Sequence, residues 1–209
     1  MYRRHAYIAA ALYAAFAVIA AAVLAAGEGW SAPALLAIYD RPPALSAVLV
    51  PISIDDYGRA LFWIPAALAL WLAGGRYRAT ADVMIASFAI SVVVGEALKH
   101  AFYVPRPFLV LDISPLVHEA ADSSFPSGHA LIVGTGAVAA AELPWYVSIP
   151  LIAEALLVSW GRLYIGAHWP VDVIAGWILA AANVELARAT ALPSLVDKIM
   201  SAIFRPLRR

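Results

Sequence analysis

Uninterrupted apolar runs set the first limit on how this chain can fold. Residues 6–26 carry no charged side chain at all, and a helix of about 20 such residues is long enough to cross the hydrocarbon core of a bilayer. The run follows Arg3-Arg4-His5. A secretory leader begins similarly, but its apolar region is about 7–15 residues long, so the run reads as a retained transmembrane helix. Further apolar runs lie at 57–73, 81–103, 127–143, 146–163 and 170–187, separated by polar, Gly- or Pro-containing breaks. Together they predict an all-α polytopic membrane protein, a six-transmembrane-helix bundle formed as one domain over residues 1–209.

Composition agrees: 64% of residues are hydrophobic, 13% are charged and the mean hydropathy is +0.82, well outside the range of soluble domains. Fourteen basic residues balance fourteen acidic ones, so no net field recruits nucleic acid. The absence of cysteine excludes disulfides and thiolate metal sites.

Six spans place both termini on one side, and the positive-inside rule makes that side cytoplasmic. Arg3, Arg4, Arg76, Arg78, Arg188, Lys198, Arg205, Arg208 and Arg209 then lie inside, leaving Arg41, Arg59, Lys99, Arg106 and Arg162 outside. Residues 31–54, broken by Pro33, Pro42, Pro43 and Pro51, read as a partly helical interfacial segment on the outer side, with Trp30 as an anchor. In residues 194–209, Leu195, Ile199, Ile203 and Leu207 recur at helical spacing opposite Lys198, Arg205 and Arg208. This pattern predicts a cytoplasmic amphipathic tail.

Polar residues concentrate at one set of span ends. Lys99 and Arg106-Pro107 end the third span, Phe125-Pro126-Ser127-Gly128-His129 opens the fourth, and Arg162 and His168-Trp169-Pro170-Val171-Asp172 join the fifth to the sixth. Span parity puts all of them on the outer face. Pro126 and Pro170 suit the first turn of a helix, so the N–H groups of Ser127 and Gly128 are expected to point outward at a positive helix end. With Lys99, Arg106 and Arg162, they compose a cradle for phosphate.

His168 and Asp172 are four residues apart, so the carboxylate can hold the imidazole N–H and fix its tautomer. This suits attack by His168 on phosphorus, with His129 as acid and base toward the leaving oxygen and water. Asp172 can equally cap its own helix at Trp169. Zinc held by His129, His168 and Asp172 is a further reading, disfavoured because three cations nearby attract an oxyanion and repel a divalent ion. Glu96, three residues before Lys99, is a candidate partner for it. Glu154 and Asn183 read as contacts inside the bundle, while His5, His100 and His118 show no partner pattern.

At these residues the chain resembles the type-2 phosphatidic-acid phosphatase superfamily, whose signature is Lys-x6-Arg-Pro, Pro-Ser-Gly-His and Ser-Arg-x5-His-x3-Asp. The blocks stand here as Lys99 to Arg106-Pro107, Pro126 to His129, and Gly161-Arg162 to His168 and Asp172, with Gly161 in place of the usual serine. The resemblance implies metal- and cofactor-independent hydrolysis of a membrane lipid phosphate at the outer face. It assigns His168 as nucleophile, Asp172 as its orienter and His129 as acid/base, with Lys99, Arg106, Ser127, Gly128 and Arg162 binding phosphate. The substrate expected is a polyprenyl diphosphate, with phosphatidic acid or phosphatidylglycerophosphate as alternatives. A lipid-phosphate transporter without hydrolysis and a phosphoryl transferase are the competing classes.

Overall fold

In the computed structural model, residues 2–40, 42–54, 57–101 and 103–204 are described, and regular structure among them is entirely helical. The long elements are α1 (Tyr2–Ala26), α4 (Ala60–Ala73), α5 (Gly75–Ala101), α6 (Gly128–Ala140), α7 (Trp145–Tyr164) and α8 (Pro170–Arg188). Two short helices, α2 (Ala32–Ile38) and α3 (Ser46–Ile52), and the terminal α9 (Leu192–Phe204) complete the set among the described residues.

Four helices, α1, α5, α7 and α8, are long and apolar enough to cross a membrane. The apolar helices α4 and α6 have 14 and 13 residues, short of the roughly 20 that a perpendicular crossing needs. Helix length therefore establishes a membrane protein with at least four candidate spans and leaves the count of six unconfirmed. The breaks have local causes. Gly74 and Gly75 both take positive φ, 76° and 52°, a conformation open to glycine at no steric cost, and this reverses the chain directly from α4 into α5. Pro126 lies two residues before α6 instead of in its first turn, with Ser127 as the N-cap, whereas Pro170 does occupy the first turn of α8.

Helix α8 is the axis of the bundle. Its most apolar stretch is 61% buried, against 22% for α1, and it packs on α1, α5 and α6. Polar side chains tie these four helices together in the apolar interior. Tyr13 donates to Asn183 Oδ1 at 2.6 Å, Asn183 Nδ2 donates to Ser91 Oγ at 2.9 Å, and the Ser91 and Thr135 hydroxyls bond at 2.8 Å. Asn183 is thus an internal bundle contact, as its sequence setting suggested. Val18 of α1, Val93 of α5 and Ile174 of α8, with Ile149 of α7, are exposed on the outside of the bundle, as expected where the surrounding solvent is hydrocarbon.

The interfacial reading of residues 31–54 corresponds to α2 and α3 with short 3-10 turns before each; Arg41 lies outside the described residues. The tail is helical through Phe204, with Leu207 and the arginines at 205, 208 and 209 outside the described residues. It also packs on α5, where Arg78 pairs with Asp197 at 2.6 Å. His5, for which the sequence shows no partner pattern, bonds Glu185 of α8 at 2.7 Å. The two lie 180 positions apart, so no local pattern announces the pair.

The Trp63 ring of α4, itself 1% exposed, lies directly against Gly136 of α6, where an added Cβ would come within 2.2 Å of it. Gly136→Ala is therefore expected to destabilise the bundle by about 1–3 kcal/mol, the usual range for overpacking a filled core. A lower thermal midpoint of the purified protein in detergent would register this, and an unchanged midpoint would show that the Trp63 ring can shift away without loss.

Candidate active site

The ends of α1, α5 and α7 and the starts of α4, α6 and α8 meet at one end of the bundle, closed by the loop between α5 and α6. Asp172 organises it. Trp169 is the N-cap of α8, so its N–H has no partner in the helix ladder, and Asp172 Oδ2 accepts it at 2.8 Å. The same oxygen accepts the Ser124 hydroxyl at 2.5 Å and lies 3.3 Å from His168 Nδ1. The cap contact and the histidine contact of Asp172 therefore fall on a single oxygen.

His168 is 1% exposed and its Nε2 lies 3.4 Å from Arg106 Nη1. Burial, followed by the charges of Arg106, Arg162, Lys99 and His129, holds its imidazole well below the ordinary histidine pKa. The ring is accordingly neutral near pH 7, and a proton on Nδ1 directed at Asp172 leaves Nε2 unprotonated, with its lone pair toward Arg106 Nη1. His129, in the first turn of α6, is buried and close enough for its charge to bear on His168.

Lys99, Arg106 and Arg162 converge as the sequence predicts, but two carboxylates already hold them. Glu119 accepts from Arg106 at 3.0 Å through Oε2 and from Arg162 at 2.6 Å through Oε1. Asp122 accepts from Lys99 at 3.0 Å and from Arg106 at 2.6 Å. Burial raises the Asp122 pKa, yet the Lys99 and Arg106 donors outweigh it and keep the carboxyl below its usual range. Both acids belong to the α5–α6 loop, as does Ser124. Their one sequence signal is position: acidic and hydroxyl residues immediately upstream of Pro126-Ser127-Gly128-His129, in a loop shared with the outer cations. Lys99 consequently pairs with Asp122 and not with Glu96, the partner expected from helical spacing.

Ser127 departs from the arrangement expected of it. Its N–H donates to the Asp172 carbonyl at 3.2 Å and its Oγ accepts from Ala130 N at 3.4 Å. These bonds join α6 to α8 instead of facing outward. Gly128 lies beside open space: an added Cβ would reach only Lys99 Cε, at 3.9 Å. Gly161 has the opposite surroundings. A Cβ there would meet Ser53 Oγ at 2.0 Å and the Leu49 carbonyl at 3.1 Å. Ser53, at the end of α3, fills the space of the missing side chain, and its carbonyl accepts from Arg162 Nη1 at 2.5 Å.

A groove of about 420 Å3 leaves the site between α4, α5 and α6. Arg59, Glu96, Lys99 and Gly128 are among its polar or open-faced lining residues, and Trp63, Ile64, Phe88, Val92, Leu131 and Ile132 supply most of the apolar lining, with Ser91 among them. The same cleft offers charged groups beside the site and a mainly apolar lining elsewhere.

Residues 82–190 match the model of the PAP2 superfamily, an interval that contains every block from Lys99 to Asp172. The chain is 42% identical over 145 residues to an undecaprenyl-diphosphatase of Sulfolobus acidocaldarius, covering 68% of this chain and 69% of that protein. It is 31% identical over 119 residues to an undecaprenyl-diphosphatase of Bacillus subtilis, covering 54% of this chain and 59% of that one. The crystal structure of a transmembrane PAP2-type phosphatidylglycerolphosphate phosphatase from Bacillus subtilis superposes with a TM-score of 0.65 at 29% identity, covering 87% of this chain and 94% of that one. A histidine–aspartate pair among converging cations, the family match across the whole site and this likeness in fold lead to one conclusion: the chain is a membrane phosphatase belonging to the PAP2 superfamily.

Proposed function

We propose that the protein hydrolyses the diphosphate of a membrane polyprenyl lipid through a phosphohistidine formed on His168. One observation carries the chemistry: a neutral, buried imidazole oriented by Asp172 at 3.3 Å and set against the Lys99, Arg106 and Arg162 cluster. The undecaprenyl-diphosphatase names of two relatives support the choice of lipid, and the apolar groove suits a long isoprenoid tail held with its headgroup at the cationic mouth.

In this reading the terminal phosphoryl group takes over donors now directed at Glu119 and Asp122. Arg106 and Arg162 supply paired N–H groups, and the open face at Gly128 admits an oxygen to the backbone. His168 Nε2 attacks phosphorus in line, forming an N–P bond as the P–O bond to the leaving group breaks. His129 protonates that oxygen. Asp172 stabilises the positive charge that develops on the imidazole. Water, deprotonated by His129, then attacks the phosphohistidine and releases inorganic phosphate, returning His168 to its neutral form. Lys99 and Arg106 offset charge on the transferring oxygens.

The same reading has six helices crossing the bilayer, with α4 and α6 crossing alongside the neighbours that bury them. Both termini are cytoplasmic, as the distribution of arginine and lysine favours, and the site faces outward at headgroup level. The chain acts as a single domain.

Phosphate release from polyprenyl diphosphate, phosphatidic acid and phosphatidylglycerophosphate, compared in detergent, tests the assignment. Polyprenyl diphosphate is expected to give the highest kcat/KM. His168→Ala should lose at least about 10^3-fold in turnover and His129→Ala nearly as much. Asp172→Asn should lose roughly 10^2-fold or more through loss of tautomer control. Lipid movement that survives in His168→Ala, with no phosphate released by either protein, would replace hydrolysis with transport.

The acid limb of the pH profile provides a separate check. His168 attacks only when neutral, and its pKa is lowered, so kcat/KM is retained as pH falls through the ordinary histidine value near 6.5 and declines only below it. An acid limb centred at or above that value, and unmoved in an Asp122→Asn control, would contradict a neutral buried nucleophile.

A further inference from the structure

Glu28 is a buried acid that neither the family motifs nor the mechanism above employs. Helix α1 stops at Gly27, which takes φ +69° and returns its N–H to the Val23 carbonyl at 2.8 Å, a glycine termination in the left-handed region. The turn directs the next residue inward. The N–H and the hydroxyl of Ser31 both donate to the Glu28 carbonyl, at 2.9 and 2.8 Å, fixing its backbone. The Glu28 side chain makes no capping bond to the turn it precedes, and the residue is only 4% exposed. A cap or a solvated loop acid would show the reverse.

Its carboxyl group lies within hydrogen-bonding reach of Asp172. Both carboxyl oxygens of Glu28 and Asp172 Oδ1 are sealed from solvent and meet no N–H or hydroxyl donor among the described residues. Two adjacent carboxylates cannot both ionise in such a place, and one proton shared between them satisfies the facing oxygens at once. The cations nearby are engaged elsewhere: Arg106 and Lys99 on Asp122, Arg106 and Arg162 on Glu119.

We propose that Glu28 is a positioning residue whose protonated carboxyl group donates to Asp172 Oδ1, locking the carboxylate that orients His168. Burial, then the charge of Asp172, pushes the Glu28 pKa up to about 11, so the proton stays in place across the working range. The division of labour on Asp172 is then complete. Oδ2 serves Trp169, Ser124 and His168, and Oδ1 serves Glu28. A donor on Oδ1 also withdraws charge from Asp172, which favours keeping the shared His168–Asp172 proton on the imidazole during attack. The role rests on the reading of His168 as nucleophile, whereas the proton on Glu28 can be observed without it.

The test uses the full-length protein purified in detergent, with Glu28→Gln, which keeps a donor, and Glu28→Leu, which removes it. Infrared difference spectra of wild type against Glu28→Gln at pH 8 are expected to show the carbonyl stretch of a protonated carboxylic acid, lost in the variant. With polyprenyl diphosphate, Glu28→Leu should lose roughly tenfold or more in kcat with little change in KM, the effect of an unmet buried charged hydrogen bond at the reacting centre. Glu28→Gln should recover to within about threefold of wild type, because an amide N–H can replace the acid proton. Absence of the infrared band overturns the pair, even if Glu28→Leu fails to fold. Full activity of Glu28→Leu overturns the positioning role. A wild type that shows the band but releases no phosphate from any lipid supports the pair and removes the phosphatase reading alone.

Discussion

One carboxylate oxygen, Asp172 Oδ2, is the interaction on which the site end of the bundle depends. It closes the first turn of α8 by accepting the Trp169 N–H, anchors the α5–α6 loop through Ser124, and faces His168 Nδ1. Helix α8 is also the most buried of the four helices long enough to cross a membrane and packs on α1, α5 and α6. Folding of the central helix and orientation of the histidine are consequently coupled. The backbone carbonyl of Asp172 extends the coupling by accepting the Ser127 N–H, which sets the start of α6 against the start of α8.

Around that anchor, charge is handled by pairing. Lys99, Arg106 and Arg162 are brought together, and the two buried arginines would carry a large desolvation penalty if unpaired. Glu119 and Asp122 relieve it, each bridging two of the cations. In the proposed reaction an anionic ligand would enter a set of donors already arranged around carboxylate oxygens, whose spacing resembles that of phosphate oxygens. Preorganisation of this kind keeps the guanidinium planes fixed before any ligand arrives.

Several individual residues were legible from pattern alone. His168 and Asp172 fall on successive turns at the start of one helix, so their contact follows from helical geometry. Lys99, Arg106, Ser127, Gly128 and Arg162 were placed at one end of the bundle by counting apolar runs, because antiparallel helices bring alternate ends together. Ser124, Glu119 and Asp122 were not singled out, since loop residues have no periodicity from which to infer direction. Ser53 and the meaning of Gly161 were equally invisible: they lie 108 positions apart, and only the packing of α3 on α7 shows that one occupies the space vacated by the other.

The amino-acid sequence by itself determined the membrane setting, the helical class and the chemistry-bearing blocks. Each of these depends on local quantities: the length of an apolar run, the positions of proline and glycine, and the spacing of histidine and carboxylate within one helix. Tertiary structure alone decided which acids neutralise the cations, where the Ser127 N–H is directed, that His5 meets Glu185, and that Glu28 is buried against Asp172. Those contacts join residues far apart in the chain. Their existence depends on helix packing distances and on the low dielectric of the interior, which make pairing obligatory without specifying in the sequence which residues will pair.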